Sequence, residues 1–96
     1  MTPYKRAVNS ITESAAVTYG PNGIRINAIA PGLTITEMVK ELNRDDPGAI
    51  ERAVARAPLR RAAAPEEIAE AAAWLLSDRT SHVTGVVLPV TGGAAV

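Results

Sequence analysis

Apolar residues recur at helical spacing near the start of the chain. Tyr4, Val8, Ile11 and Ala15 would share one face of a helix. A Thr-Pro pair at the start suits the N-cap and first helical position, and a Gly-Pro-Asn-Gly run follows the apolar pattern as a stop signal. The pattern therefore predicts a first helix over residues 2–19.

A short apolar run follows and halts at a proline. Residues 24–30 carry apolar side chains on both parities, as parallel strands that are buried on both faces do. Pro31 cannot donate to a ladder, so we expect the strand to end there. Gly32 allows close backbone approach, and Thr34 and Thr36 offer hydroxyls and amides where open α/β sheets bind ligands. The layout is typical of a strand that delivers a loop to a ligand, although an ordinary strand-to-helix turn would look the same.

The middle of the chain predicts two short helices separated by a polar break. The first begins near Thr36, with Met38 and Leu42 four residues apart, and the second covers residues 48–56. The break between them is rich in Asn, Asp, Pro and Gly, which suits a lid that closes over a ligand. Two plain surface helices with no gating role explain the same pattern equally well.

The clearest helix covers residues 65–77. Pro65 suits the first helical position, and two glutamates follow in the first turn, where the helix dipole favours carboxylates. An apolar stripe runs along this helix at Ile68, Ala72, Leu75 and Leu76. After a polar connector, residues 85–90 start a short strand that Pro89 limits to a sheet edge or to its final residues.

Composition narrows the classes of function. Ten basic and ten acidic residues are scattered along 96 residues and balance to zero net charge, so no nucleic-acid partner is expected. No cysteine is present, and no apolar run approaches the roughly 20 residues that cross a bilayer, so we expect no membrane partner. The amphipathic start is unlike a signal peptide. One folded unit over residues 1–96 and a cytoplasmic location are the expectations.

Four segments of the sequence are informative together because of their order and spacing. They are Lys5-Arg-Ala-Val, Asn22-Gly-Ile-Arg-Ile-Asn-Ala-Ile-Ala-Pro-Gly, Pro65-Glu-Glu-Ile-Ala and Thr84-Gly-Val-Val-Leu-Pro-Val-Thr-Gly-Gly. Together they resemble the C-terminal part of the short-chain dehydrogenase/reductase family, over nearly the whole chain. The resemblance implies an α/β fold. The chain would be a C-terminal fragment of a doubly wound, Rossmann-like parallel sheet, with two strands and three to four helices in a single partial domain, residues 1–96.

The resemblance also implies a chemistry, the interconversion of alcohols and carbonyls by hydride transfer with NAD or NADP. Family members carry a tyrosine and a lysine four residues apart on one helix face, as proton donor and as ribose ligand. The lysine aligns with Lys5, which becomes the catalytic and cofactor-binding candidate, with a solvated lysine in a first helical turn as the alternative interpretation. The tyrosine position is Met1. A thioether has no ionisable proton. Tyr4 is no replacement, because it points about 100° away from Lys5 around the helix.

The loop after the first strand matches the family better. The resemblance implies that Pro31 and Gly32 shape a nicotinamide site, with the backbone of Thr34 and the hydroxyl of Thr36 at the carboxamide. The choice between NAD and NADP is made near a second strand that these residues do not include. The 96 residues also contain neither the family's glycine-rich phosphate turn nor its catalytic serine, so we expect the chain alone to be inactive.

Two partners follow from the resemblance. In a complete enzyme the substrate would be a small-molecule alcohol or carbonyl compound. A homo-oligomer is expected, because family members assemble through the helix that bears Lys5 and through the Pro65 helix with the final strand. The alternative reading is a non-catalytic interaction module that self-associates or pairs with a full-length relative. A parallel pair of strands needs cover on both faces, and two strands alone make a poor sheet. Apolar surface should therefore be exposed under either interpretation.

Three other residues have ordinary explanations. His82 lies in a polar connector with no metal-ligand cluster around it, so no metal is expected. Trp74 suits a core or subunit contact better than a substrate platform. Thr91 stands where the family usually has an aspartate before two glycines, which removes a carboxylate from the end of the last strand.

Overall fold

Four helices and two strands make up the computed structural model, which describes the backbone of residues 3–94 and the side chains of residues 6–94. In chain order they are α1 (Pro3–Tyr19), β1 (Ala28–Pro31), α2 (Glu37–Asp45), α3 (Ala49–Arg56), α4 (Pro65–Leu76) and β2 (Val87–Val90). Single turns of 3-10 helix at Gly20–Asn22 and Asp78–Thr80 follow α1 and α4. The predicted α/β fold, with its parallel strand pair, is confirmed. None of the helices described has the length and apolar character that crossing a bilayer requires.

The two strands are parallel, so their carboxyl ends meet at one edge of the sheet. Ala28 pairs with Val87 and Pro31 with Val90. Just beyond the strands, the backbone N–H of Gly32 donates to Val90 O at 2.9 Å. The same edge therefore collects the loop after β1 and the residues after β2.

The predicted first strand, residues 24–30, is displaced. The strand covers Ala28–Pro31, so residues 24–27 are not part of it and Pro31 is. Pro31 is tolerated because Ala28 and Gly32 donate to Val86 O and Val90 O, and the two-residue period of the ladder turns the nitrogen of position 31 away from β2. Pro89 lies third of four residues in β2, which confirms its place near the end of a strand.

Ahead of β1, side-chain hydrogen bonds to the connector before β2 accompany one backbone bond, from Gly85 N to Ile26 O at 2.7 Å. The Ile26 N–H donates to Thr84 Oγ1 at 3.0 Å, and the amide of Asn27 bonds both Val83 O (3.0 Å) and the Val86 N–H (3.1 Å). These bonds satisfy the backbone of the connector before β2, which is too irregular to offer a regular strand edge. The apolar alternation at 24–27 therefore does not produce strand pairing.

Few side chains are fully buried. The buried apolar residues are Ala16, Ala30, Ala57 and Leu75. On α1 the buried face runs through Thr12 and Ala16, where a Cβ at Gly85 would lie 3.4 Å from the Ala16 methyl group. Small residues thus let α1 pack closely on the connector before β2.

Two members of the predicted apolar stripes lie outside the core. Ile11 is 69% exposed and Leu76 is 84% exposed, while Leu75 is buried. Each exposed residue shares its helix with a neighbour that takes the buried position, Thr12 on α1 and Leu75 on α4. The expectation that apolar surface is exposed is confirmed for the described residues.

Candidate functional site

The loop after β1 lies at the carboxyl edge of the sheet and is held from two sides. On one side it abuts the end of β2, since a Cβ added to Gly32 would lie 2.9 Å from Thr91 Cα. Only glycine fits at this distance from a backbone atom. The close approach predicted for Gly32 is therefore real, and the neighbour it admits is Thr91.

The connector that precedes α4 supports the loop on its other side. Ala63 N donates to Leu33 O at 2.9 Å, and Ile35 N donates to Ala63 O at 3.0 Å, so Thr34 sits in a parallel bridge opposite Ala63. The same connector reaches β2, because Leu59 N donates to Gly92 O at 2.9 Å. Two other segments, the connector before α4 and the end of β2, thereby hold residues 32–36 in place.

The two threonines predicted to bind a ligand make different hydrogen bonds within the chain. Thr34 Oγ1 donates to Gly32 O at 3.3 Å, whereas the Thr34 backbone N–H makes no hydrogen bond within the described residues. Thr36 begins α2, and its Oγ1 accepts from Val39 N at 3.2 Å. A hydroxyl that accepts one bond can still donate its proton. An N–H and an O–H that donate to no group among the described residues are therefore presented two residues apart on this loop.

The other site candidates are only partly placed. Pro31 is exposed and ends β1. Lys5 lies on the backbone of α1, but its side chain, that of Tyr4, and the whole of Met1 are outside what the structure describes. The roles assigned to Lys5, Pro31, Gly32, Thr34 and Thr36 remain predictions.

An ion pair that the sequence analysis did not single out fastens the connector to α4. The guanidinium of Arg61 donates to both carboxylate oxygens of Glu67, at 2.7 and 2.8 Å, and the Ala64 N–H donates to Glu67 Oε1 at 3.0 Å. The Arg61 bond, then the Ala64 bond, lowers the pKa of Glu67 to about 2. A glutamate three residues after the N-cap was the available signal; its distant arginine was not.

The structure also places His82, Trp74 and Thr91. His82 is exposed, and no group of three His, Asp or Glu side chains among the described residues could hold a metal ion. Trp74 is 45% exposed rather than buried in a core. Thr91 Oγ1 accepts from Gly93 N at 3.2 Å, so the turn that follows β2 keeps a side-chain oxygen without a carboxylate.

Comparison with known proteins decides the family. The family model described as enoyl-(acyl carrier protein) reductase matches residues 1–95. A crystal structure of a short-chain dehydrogenase/reductase family oxidoreductase from Burkholderia thailandensis superposes with a TM-score of 0.85 and 36% identity, over 93% of this chain and 35% of that one. The chain belongs to the short-chain dehydrogenase/reductase family.

Two curated relatives add detail. The A-factor type gamma-butyrolactone 1'-reductase (1S-forming) of Streptomyces virginiae is 50% identical over 92 residues, which is 96% of this chain and 36% of that protein. The cis-4-hydroxycyclohexanecarboxylate dehydrogenase of Sinomonas cyclohexanicum is 48% identical over 89 residues, which is 93% of this chain and 34% of that protein. The relatives are oxidoreductases, and the chain spans about a third of their length.

Proposed function

We propose that this chain forms the nicotinamide-side wall of an NAD(P)-dependent oxidoreductase that interconverts alcohols and carbonyl compounds. The observation that carries the proposal is the loop at residues 32–36, held at the edge where both strands end, with two hydrogen-bond donors that have no acceptor among the described residues. The two curated relatives are named as a reductase and a dehydrogenase, which supports the same class of reaction.

The described residues fit the nicotinamide end of a dinucleotide. In this proposal the Thr34 N–H and the Thr36 hydroxyl donate to the carboxamide, and Gly32 keeps the loop close to the sheet. Lys5 would bind the ribose hydroxyls and favour ionisation of a nearby proton donor. The dinucleotide, when bound, supplies or accepts the hydride. NAD and NADP are equally compatible with these contacts.

The 96 residues by themselves are proposed to be inactive. They contain no tyrosine four residues before Lys5 and no glycine-rich turn of the kind that holds a pyrophosphate at a helix N-terminus. General acid-base catalysis at the substrate oxygen then lacks its proton donor. A cytoplasmic location belongs to the same proposal, because the reaction draws on the intracellular dinucleotide pool.

Fluorescence and turnover test this proposal. Titration of NADH or NADPH into the purified chain should give no saturable change at micromolar concentrations, and no alcohol should be oxidised with NAD or NADP. Tight binding of the whole dinucleotide, or steady turnover by homogeneous chain, would overturn the proposed division of the cofactor site.

A specific observation favours the second candidate function, an interaction module. Val17 on α1 is 78% exposed, and Trp74 and Leu76 on α4 are 45% and 84% exposed. Apolar side chains of this size on two helices favour association with a second copy or with a longer relative. Light scattering should find dimers or larger species at micromolar concentration, whereas a stable monomer would argue against a homo-oligomer.

A further inference from the structure

A cavity of about 410 Å³ opens between the loop after β1 and helix α3. Its walls combine small and aliphatic side chains with two arginines: Leu33, Ala53, Ala57, Thr91, Arg56 and Arg61. Its volume is within the range of about 300–1,000 Å³ that small-molecule sites occupy. No carboxylate from the described residues lines it.

The two arginines differ in how their charge is compensated. Arg61 is neutralised by its two short bonds to Glu67. Arg56 is exposed in the last turn of α3 and forms no ion pair with any described side chain. Among the described residues, the cavity wall therefore carries one guanidinium without an ion pair, that of Arg56.

Thr91 also makes the cavity wall less negative than the usual family sequence would. The family usually has an aspartate at this position, and Thr91 lines the cavity with a hydroxyl instead. Its Oγ1 still accepts from Gly93 N at 3.2 Å, so the turn keeps its side-chain bond. A carboxylate that would have repelled an anion beside Gly32 is thus replaced by a neutral group.

We propose that this cavity binds the carboxylate of a small aliphatic acid and that Arg56 holds that carboxylate. A monoanion matches one free guanidinium, which can bind a carboxylate with two parallel hydrogen bonds. The methyl groups of Ala53 and Ala57 and the side chain of Leu33 suit an aliphatic body. This inference rests on the proposed function, because it names the substrate class as hydroxy or oxo acids.

Amide NMR of the 96-residue chain with butyrate, in the absence of any dinucleotide, tests the inference. Butyrate should shift the amide signals of Gly32, Ala53 and Arg56 in a saturable way, and the neutral isostere butyramide should bind about tenfold more weakly or less. Since no cofactor is present, a failure of the dinucleotide proposal leaves this result unaffected. Equal binding of butyrate and butyramide would overturn the inference, and so would tighter binding of inorganic phosphate, which would indicate a phosphate site.

Substitutions assign the effect to Arg56. Arg56→Gln should weaken butyrate binding about tenfold, because a charge-assisted pair is lost. Arg44→Gln is the matched control, since Arg44 occupies the last turn of α2, is 70% exposed and does not line the cavity. Ala53→Leu, which fills the cavity and keeps both arginines, should also weaken binding. An equal loss in Arg44→Gln, or unchanged binding in Arg56→Gln, would contradict the inference, and so would unchanged binding in Ala53→Leu.

Discussion

Gly32 is the residue on which the geometry of the loop most depends. Replacement by alanine would bring a methyl group to 2.9 Å from Thr91 Cα, and backbone atoms cannot move aside as a flexible side chain can. We expect Gly32→Ala to lower the free energy of unfolding by about 1–3 kcal/mol.

Urea denaturation measures this loss, and Gly20→Ala serves as the control. A Cβ at Gly20 meets nothing within 4 Å, so that variant should keep the stability of the parent chain to within about 0.5 kcal/mol. Equal stability of both variants would show that the sheet edge relaxes around position 32.

Arg60 stores backbone strain in the connector. Its φ of 55° makes it a non-glycine residue in the left-handed region among those described. Arg60→Gly should raise the free energy of unfolding by about 0.5–1 kcal/mol, because the left-handed conformation costs glycine no steric energy. Arg44→Gly, made within α2, should lower it by a similar amount. A destabilised Arg60→Gly chain in thermal or urea unfolding would contradict this account of position 60.

At the scale of elements, the ion pair of Arg61 with Glu67 joins the connector to α4. The pKa of Glu67 falls from its ordinary 4.5 to about 2, so the folded state favours the charged carboxylate. Its contribution to stability is present above the unfolded pKa and is lost as the pH falls from about 5 towards 2. We expect Glu67→Gln to remove part of the acid sensitivity of the chain in that window.

Thermal unfolding at a series of pH values checks this prediction. Glu66→Gln is the control, because Glu66 occupies the same helical turn and forms no ion pair with a described side chain. The parent chain and Glu66→Gln should lose stability alike on acidification, and Glu67→Gln should lose less. Parallel curves for all three proteins would mean that the pair contributes nothing measurable.

Arg25 shows how α4 is aligned with the sheet. Its guanidinium donates to Thr80 Oγ1 (3.1 Å), Val83 O (3.1 Å) and Ser77 O (3.0 Å), just past the C-terminus of α4. Thr80 is 2% exposed, and its hydroxyl lies 2.9 Å from Leu75 O. A cation is favourable at this end of a helix. The segment that precedes β1 and the end of α4 are therefore joined through one side chain.

Local signals in the sequence predict the helices well and the strand pairing less well. Pro3 and Gly20 bound α1, and Pro65 begins α4, whose apolar stripe ends at Leu76, so the predicted ends of both helices lie within one residue of those observed. The start of the first strand was predicted four residues too early and its end one residue too early, because apolar alternation cannot reveal that the Asn27 and Thr84 side chains bond the facing segment there.

For the candidate site too, local signals predict the position of the loop but not the contacts that support it. A Pro-Gly pair after an apolar run predicts a loop at the sheet edge, and the structure has that loop. Its support from Ala63 could not be predicted, because the bonds are made by backbone atoms within an alanine run that carries no side-chain signal. The cavity beside Arg56 was missed because it depends on the distance between α3 and Thr91, which are far apart in sequence.

At the scale of the whole molecule, the proposed function involves two features, the exposed apolar side chains of the helices and the hydrogen-bond donors of the loop at residues 32–36. A two-stranded parallel sheet buries little on its own, and the large residues left exposed include Ile11 and Val17 on α1 and Leu76 on α4. A partner surface that covers these helices would leave the carboxyl edge of the sheet open. In the proposed function, the chain is one wall of a site that contacts the nicotinamide end of a cofactor.

Amide NMR with the two halves of a dinucleotide tests that claim most directly. Reduced nicotinamide mononucleotide, titrated to millimolar concentration, should shift the amide signals of residues 33–36, and adenosine monophosphate should leave them unchanged. Shifts of residues 33–36 by the adenosine half alone, or none with the nicotinamide half, would contradict the account.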